Sequence, residues 1–178
     1  MNALENMMNR HSIRAFTEET VPREVLEQLV EMGTHAPSAC NIQAWKFCVV
    51  DDQNLVRKID DASLGINGNP PAIIVVMSDR DYAFKRGGKF GQKAADEFAT
   101  LDCAYASQNI MLAAVELGLG TCAIKAYDDA VVRDLLKVPE NYVVELLITV
   151  GYPDPEVAPR MPERKPASEV ILYNTCEQ

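Results

Sequence analysis

The chain has 178 residues and a mass of 19.7 kDa, one domain's worth, with 48% apolar and 24% charged residues. That balance excludes wholesale disorder and low-complexity architecture. Lys and Arg number 17 against 26 Asp and Glu, a formal charge of -9 that argues against nucleic acid as a partner but leaves room for one small anion on a local basic cluster.

No apolar run approaches the roughly 20 residues that span a bilayer, so no membrane partner is expected. The polar stretch Met1 to Arg14 lacks the apolar segment of a signal peptide. Cys40, Cys48, Cys103, Cys122 and Cys176 are odd in number, scattered, and free of any C-x-x-C pair. This fits neither a disulfide framework nor a metal site, and a reducing cytoplasm is the expected address.

Pro22 sits at the first turn of a predicted helix whose Val25, Leu26, Leu29 and Val30 share one face and which ends near Gly33. Trp45 to Val50 reads as a strand, followed by a short helix carrying Leu55 and Ile59. After Pro70-Pro71, Ile73 to Met77 is a continuous apolar run that suits a strand buried on both faces. Residues 80–93, with Lys85, Arg86, Lys89 and Lys93 among Gly87, Gly88 and Gly91, read as a mobile loop.

The longest helical pattern runs from about Ala94 to Leu117, and its second half is apolar nearly all round, as expected of a helix buried in the middle of the molecule. Gly118-Leu119-Gly120 stops it, and Thr121 to Ile124 reads as a short strand. Val131 to Leu136 forms another short helix before Pro139, and Tyr142 to Val150 is the last strong strand. Residues 153–166 hold five of the ten prolines and read as an extended arm, with a β-like piece at Glu169 to Tyr173. Strands alternate with helices, so the class is α/β or α+β with a mixed sheet.

Four segments carry chemistry. In Arg10-His11-Ser12-Ile13-Arg14, two arginines four apart with a hydroxyl between them can converge on an anion, or form a solvated basic turn. His11 by itself says little. In Pro37-Ser38-Ala39-Cys40-Asn41-Ile42-Gln43, the amides of Asn41 and Gln43 offer donors and acceptors suited to the edge of a heterocycle, or stitch a turn. No base stands beside Cys40 in sequence, which disfavours it as a nucleophile.

Gly118-Leu119-Gly120-Thr121-Cys122 is a helix C-cap or a close backbone approach to a flat ligand, and it matches neither a Rossmann fingerprint nor a P-loop. In Arg160-Met161-Pro162-Glu163-Arg164-Lys165-Pro166, prolines hold basic residues ready for an anion, or the stretch is a solvated tail. If the two ends of the chain meet, they form the phosphate site that the acidic body lacks.

Together with Gly151-Tyr152-Pro153, these segments resemble, in order, the signatures of the FMN-dependent nitroreductase family, and they cover almost the whole chain. The resemblance implies an α+β fold, a mixed sheet around a long central helix. It implies one flavin-binding domain over residues 1–152 and an arm over 153–178 that embraces a second copy in an intertwined homodimer, with FMN at the interface. Arg10, His11, Ser12 and Arg14 would then face phosphate and ribityl oxygens, and Arg164 and Lys165 would close over the phosphate. Pro37, Ser38, Ala39, Asn41 and Gln43 of the other subunit would line the isoalloxazine, with Asn67 near its pyrimidine edge. Ala123, Ile124 and Lys125 would lie near N5.

The implied activity is ping-pong hydride transfer from NADH or NADPH through the flavin to a nitroaromatic, quinone or similar small acceptor, with no catalytic acid or base on the protein. Alternatives are a flavin-binding storage or redox-sensing protein, or a dehalogenating or flavin-fragmenting member of the same superfamily. Ala44 stands where the family often has proline, and Lys125 where it is often acidic. The lid of longer members would be reduced here to residues 80–93, whose cations could meet the extra phosphate of NADPH or simply be solvated.

Overall fold

A computed structural model describes residues 2–176, so the last two residues of the expected arm lie outside the described residues. The apolar run at Ile73 lies at the centre of a four-stranded sheet ordered β1–β2–β4–β3, with β1 at Trp45–Val50, β2 at Ala72–Asp79, β3 at Gly120–Ile124 and β4 at Tyr142–Gly151. All three pairings are antiparallel. Where the sequence suggested a mixed sheet, parallel pairing enters, among the described residues, only at the isolated Ser12–Thr121 bridge.

Successive side chains of β2 point to opposite faces, and both faces are covered. Ile74 and Val76 pack with Leu26, Leu29, Ala106 and Ile110, whereas Ile73, Val75 and Met77 pack with Val56, Ile59 and Val132. Helix α2 (Arg23–Thr34) and the long α6 (Ala99–Glu116) thus cover one side, and α3 (Gln53–Asp61) and α7 (Asp129–Leu136) the other. Each fully buried Leu or Ile contributes about 1.5–3 kcal/mol. Asp52 and Asp128 start α3 and α7 by accepting the Leu55 and Val131 N–H groups at 2.8 and 3.1 Å.

Three expectations need correction. The segment expected to be a mobile loop is helical: α4 (Arg80–Arg86), a 3₁₀ turn at Gly88–Phe90, one turn α5 (Gly91–Lys93) and a π-type turn at Ala94–Phe98 leading into α6. The polar composition hid an N-cap, since Asp79 accepts the Tyr82 N–H at 2.9 Å, and a core contact, since Ala83 is buried. The piece at 169–173 forms no strand. A 3₁₀ turn at Ala167–Glu169 gives way to exposed irregular chain that pairs with no strand among the described residues. Helix α6 is not covered all round: in its second half Ala106, Ile110, Met111 and Ala114 are buried, Leu112, Ala113 and Val115 only partly so, and Leu117 is exposed, while in its first half Leu101 and Tyr105 stand in solvent.

The polar N-terminal stretch forms α1 (Ala3–Asn9), begun by a reciprocal capping box between Asn2 and Glu5. Asn6 fixes it to α6 through a 3.1 Å bond from its amide to the Leu112 carbonyl. Among the described residues, no helix is long and apolar enough to cross a membrane.

Candidate functional site

After α1 the chain runs extended along β3, and the Ile13 N–H donates to the Thr121 carbonyl at 2.9 Å. Alternation then puts Arg10, Ser12 and Arg14 on one side. Two glycines permit the path. A Cβ at Gly120 would lie 2.6–2.7 Å from three Ile13 side-chain atoms, and one at Gly68, whose φ is +78°, would overlap the Arg14 carbonyl. Gly120 therefore makes room for the protein's own N-terminal segment.

The two ends of the chain do meet. Arg10, Ser12 and Arg14 line a cavity of about 160 Å³ with Arg160, Pro162 and Arg164. Four guanidinium groups converge there and no carboxylate lines the space. Partial burial, and next the Arg164 charge, push the Arg10 pKa below its ordinary value. Such a cluster is stabilised by an anion that takes charge-assisted hydrogen bonds. Lys165 does not line the cavity and Arg160 does. His11 turns aside: its Nδ1 lies 2.7 Å from the Asn9 carbonyl, and its Nε2 is buried without a hydrogen-bond partner.

Asn67 and the end of β3 do not line this pocket and are tied to it through the 63–68 turn. Ser63 Oγ donates to the Ala126 carbonyl at 2.7 Å and accepts the Gly65 and Ile66 N–H groups, so the 63–68 turn links the end of β3 to Arg14. Asn67 is exposed, and its amide donates to Gly65 at 3.2 Å. Ala123 faces outward, Ile124 inward and Lys125 outward. The Lys125 ammonium bends back to the Val144 carbonyl at 3.1 Å.

The Pro37–Gln43 turn is built differently, from backbone. Cys40, Asn41 and Gln43 hold φ values of 51, 55 and 55°, a region that costs a non-glycine residue about 1–3 kcal/mol. Local bonds hold it: Ser38 Oγ accepts the Gln43 N–H at 3.2 Å, and the Gln43 amide donates to Asn41 Oδ1 at 2.9 Å. Beneath it lies Asp102 of α6, 4% exposed, whose two oxygens accept the Ala39 N–H at 3.1 and 3.2 Å. Burial raises the Asp102 pKa, and the Ala39 bond opposes the rise. The sequence reading missed Asp102, because a lone acid in an apolar helix gives no signal of what it supports.

The turn and the arginine pocket stand at diagonally opposite corners of the sheet. The turn enters β1 at Trp45, in the row Trp45–Ser78–Val143, whereas Thr121 stands in the row Thr121–Val150–Ala72. Three strand spacings and about seven residues of rise separate them, on the order of 25 Å.

A buried ion pair backs the same end of the sheet. A register shift between Val76 and Met77 leaves Glu145 without a partner in the ladder. Its Oε1 accepts from Ser78 at 2.5 Å and from Arg80 at 2.7 Å. Arg80 also donates to the Ala95 carbonyl of the π-type turn. Two of the five thiols are held protonated by burial, which pushes Cys103 up to about 12 and raises Cys48 as well.

A profile of the Nitroreductase family matches residues 7–69 and 63–152 of the chain. A relative from Archaeoglobus fulgidus named for NADH dehydrogenase and NAD(P)H nitroreductase is 33% identical over 159 residues, 86% of each chain. The solved structure of a nitroreductase family protein from Streptococcus pneumoniae superposes with a TM-score of 0.82 at 27% identity, covering 97% of this chain and 100% of that one. An FMN-dependent nitroreductase from Clostridium difficile gives 0.75 at 26% identity, covering 97% and 99%.

Proposed function

The chain belongs to the nitroreductase family and is an NAD(P)H-dependent, nitroreductase-like enzyme, and from that premise we propose that it works as a homodimeric FMN oxidoreductase reducing small nitroaromatic, quinone or similar acceptors. The observation that carries the reading is the arginine pocket. Four guanidinium groups around about 160 Å³, with no counter-charge in the lining, fit a phosphate dianion. Arg10, Arg14, Arg160 and Arg164 hold that phosphate, and Ser12 adds a hydroxyl donor.

The heterocycle end needs a second copy. A diagonal on the order of 25 Å keeps one chain's pocket and its own Pro37–Gln43 turn from meeting on one mononucleotide. Two copies resolve this when the turn of each faces the pocket of the other. Two further observations support the dimer. Leu4, Met7 and Met8 of α1 stand exposed, as do Leu101 and Tyr105 of α6. The arm beyond Pro155 is exposed throughout its described length and carries Val157, Met161, Val170, Ile171, Leu172 and Tyr173, an apolar set that one chain leaves uncovered. The arm, read as a unit from residue 153, packs on the partner.

When bound, FMN supplies the hydride relay between nicotinamide and acceptor. This chain binds it at the phosphate, orients the ring edge with Asn41 and Gln43 of the turn, and offers the outward face of Ala123 to Lys125 beside it. The visible spectrum of the protein purified without added cofactor tests the reading, followed anaerobically by NADH and then NADPH, with mass measured by sedimentation. Flavin bands that bleach with a donor, on a dimer, are the expected result. A protein that stays colourless after reconstitution with FMN, or a flavin-loaded monomer, would overturn it.

A further inference from the structure

The -9 charge makes one surface anomalous. Residues 80–93 carry Arg80, Lys85, Arg86, Lys89 and Lys93 against a single acid, Asp81. Two of the five cations are occupied, Arg80 by Glu145 at 2.7 Å and Lys93 by Glu97 at 3.6 Å. Among the described residues Lys85, Arg86 and Lys89 form no ion pair, and all three are exposed. Favourable placement at a helix C-terminus accounts for Lys85 and Arg86. It does not account for Lys89, which lies beyond the helix.

Two aromatic rings share this surface, Phe84 at 54% and Phe90 at 47% exposure. The Lys89 ammonium lies 5.0 Å from the Phe90 ring centre. The scaffold beneath is fixed. Asp79 caps α4, Ala83 is buried, and Gly91 backs so closely on the Phe84 carbonyl that a Cβ there would lie 2.6 Å from it. The backbone that carries the cations and rings is therefore held in one arrangement instead of as a free loop.

The same helix rests on the flavin-lining turn. Ala83, Ala94, Ala95 and Ala99 pack with Ile42 and Ala44, and the Asp79 N–H donates to the Ala44 carbonyl at 2.8 Å. On the flavin reading, a nicotinamide donor stacked beside Asn41 and Gln43 would extend its adenosine end away from the ring, and α4 is a surface packed against that turn. Unpaired cations next to flat apolar rings match a phosphate attached to a base-bearing ribose.

We propose that Lys85, Arg86 and Lys89, with Phe84 and Phe90, form a subsite for the 2′-phosphoadenosine end of the donor, and so make NADPH the preferred reductant. This rests on the flavin reading above, which alone puts a nicotinamide donor at this turn.

The test compares kcat/KM for NADPH and NADH on the FMN-loaded dimer, in wild type and in Lys85→Ala/Arg86→Ala/Lys89→Ala, at low and high salt. Wild type should favour NADPH by roughly tenfold or more, the size of two or three exposed phosphate contacts. The preference should shrink with salt and approach unity in the triple variant. A wild-type ratio near one, or an NADPH preference that survives the triple substitution, overturns the proposal. Calorimetry with adenosine 2′,5′-bisphosphate needs no flavin and separates the two readings. Binding that the triple variant loses supports the subsite even if FMN is not retained, and no binding to wild type overturns it.

Discussion

The arginine pocket and the Pro37–Gln43 turn, two halves of one proposed site, are made by opposite means. The pocket is side-chain charge on extended chain at the edge of the molecule, with the ends of the sequence brought together beside the start of β3. The turn is backbone geometry, three non-glycine residues at positive φ held over a buried carboxylate. A charged cradle tolerates small displacements, because Coulomb attraction varies smoothly with distance. A backbone template does not, since each hydrogen bond depends on direction. Substitutions that remove charge should therefore hurt affinity most at the pocket, and substitutions that loosen geometry should hurt most at the turn.

The largest effect is expected from Arg10→Ala/Arg14→Ala. A hydrogen bond to a charged group is worth about 1.5–3 kcal/mol, so losing two should weaken FMN binding by roughly 10²–10⁴-fold. Fluorescence titration of apoprotein reads this directly, and unchanged affinity would remove the pocket from the site. Gly68→Ala should act next most strongly. Its φ of +78° and the overlap with Arg14 force the Arg14 backbone to move. Gly118→Ala is the control, with a φ of +74° and nothing within 4 Å of the added carbon. Both should lose about 1–3 kcal/mol of stability. Only Gly68→Ala should also weaken FMN, by about tenfold. Equal FMN affinities in the two variants would show that the pocket does not depend on that close approach.

What the sequence disclosed follows the same division. Strands and helices with strong apolar patterns were legible: Trp45–Val50 is a strand as expected, and the run at Ile73 is covered on both faces. Arg10 and Arg14 were legible as a pair because two arginines four apart with no acid between them stand out in a chain of net charge -9. Arg160 could be seen in its segment, but which of Arg160, Arg164 and Lys165 turns inward depends on the path of a proline-rich arm that no periodicity governs. The fold of 80–93 was obscured because its buried residues, Ala83 and Gly91, are small and its cap, Asp79, belongs to the preceding strand. Helix α6 was misjudged for a physical reason: apolar composition alone does not tell a partly covered face from one packed all round.

Asp102 gives the smallest and most discriminating test. Its carboxyl has a pKa above the ordinary value because burial penalises its charge, and the Ala39 N–H only partly offsets this. The folded protein therefore still holds that proton at a pH where the unfolded chain has lost it. The stability so contributed is complete below the ordinary carboxylate pKa and is lost as pH rises through the raised, folded-state value. Asp102→Asn keeps an oxygen for the Ala39 N–H and has no proton to lose. Urea melts of this variant should show a flatter rise-to-neutral profile than wild type, with neutral-pH stability at least as high. Asp102→Ala removes the acceptor and leaves a buried N–H unsatisfied, at a cost of about 1–3 kcal/mol. Wild type and Asp102→Asn losing stability in parallel would show that the carboxylate serves the turn only as an acceptor. If Asp102→Ala were as stable as Asp102→Asn, the 38–43 bonds would hold the turn unaided. That outcome would erase the contrast between a cradle built on charge and a template built on support from beneath.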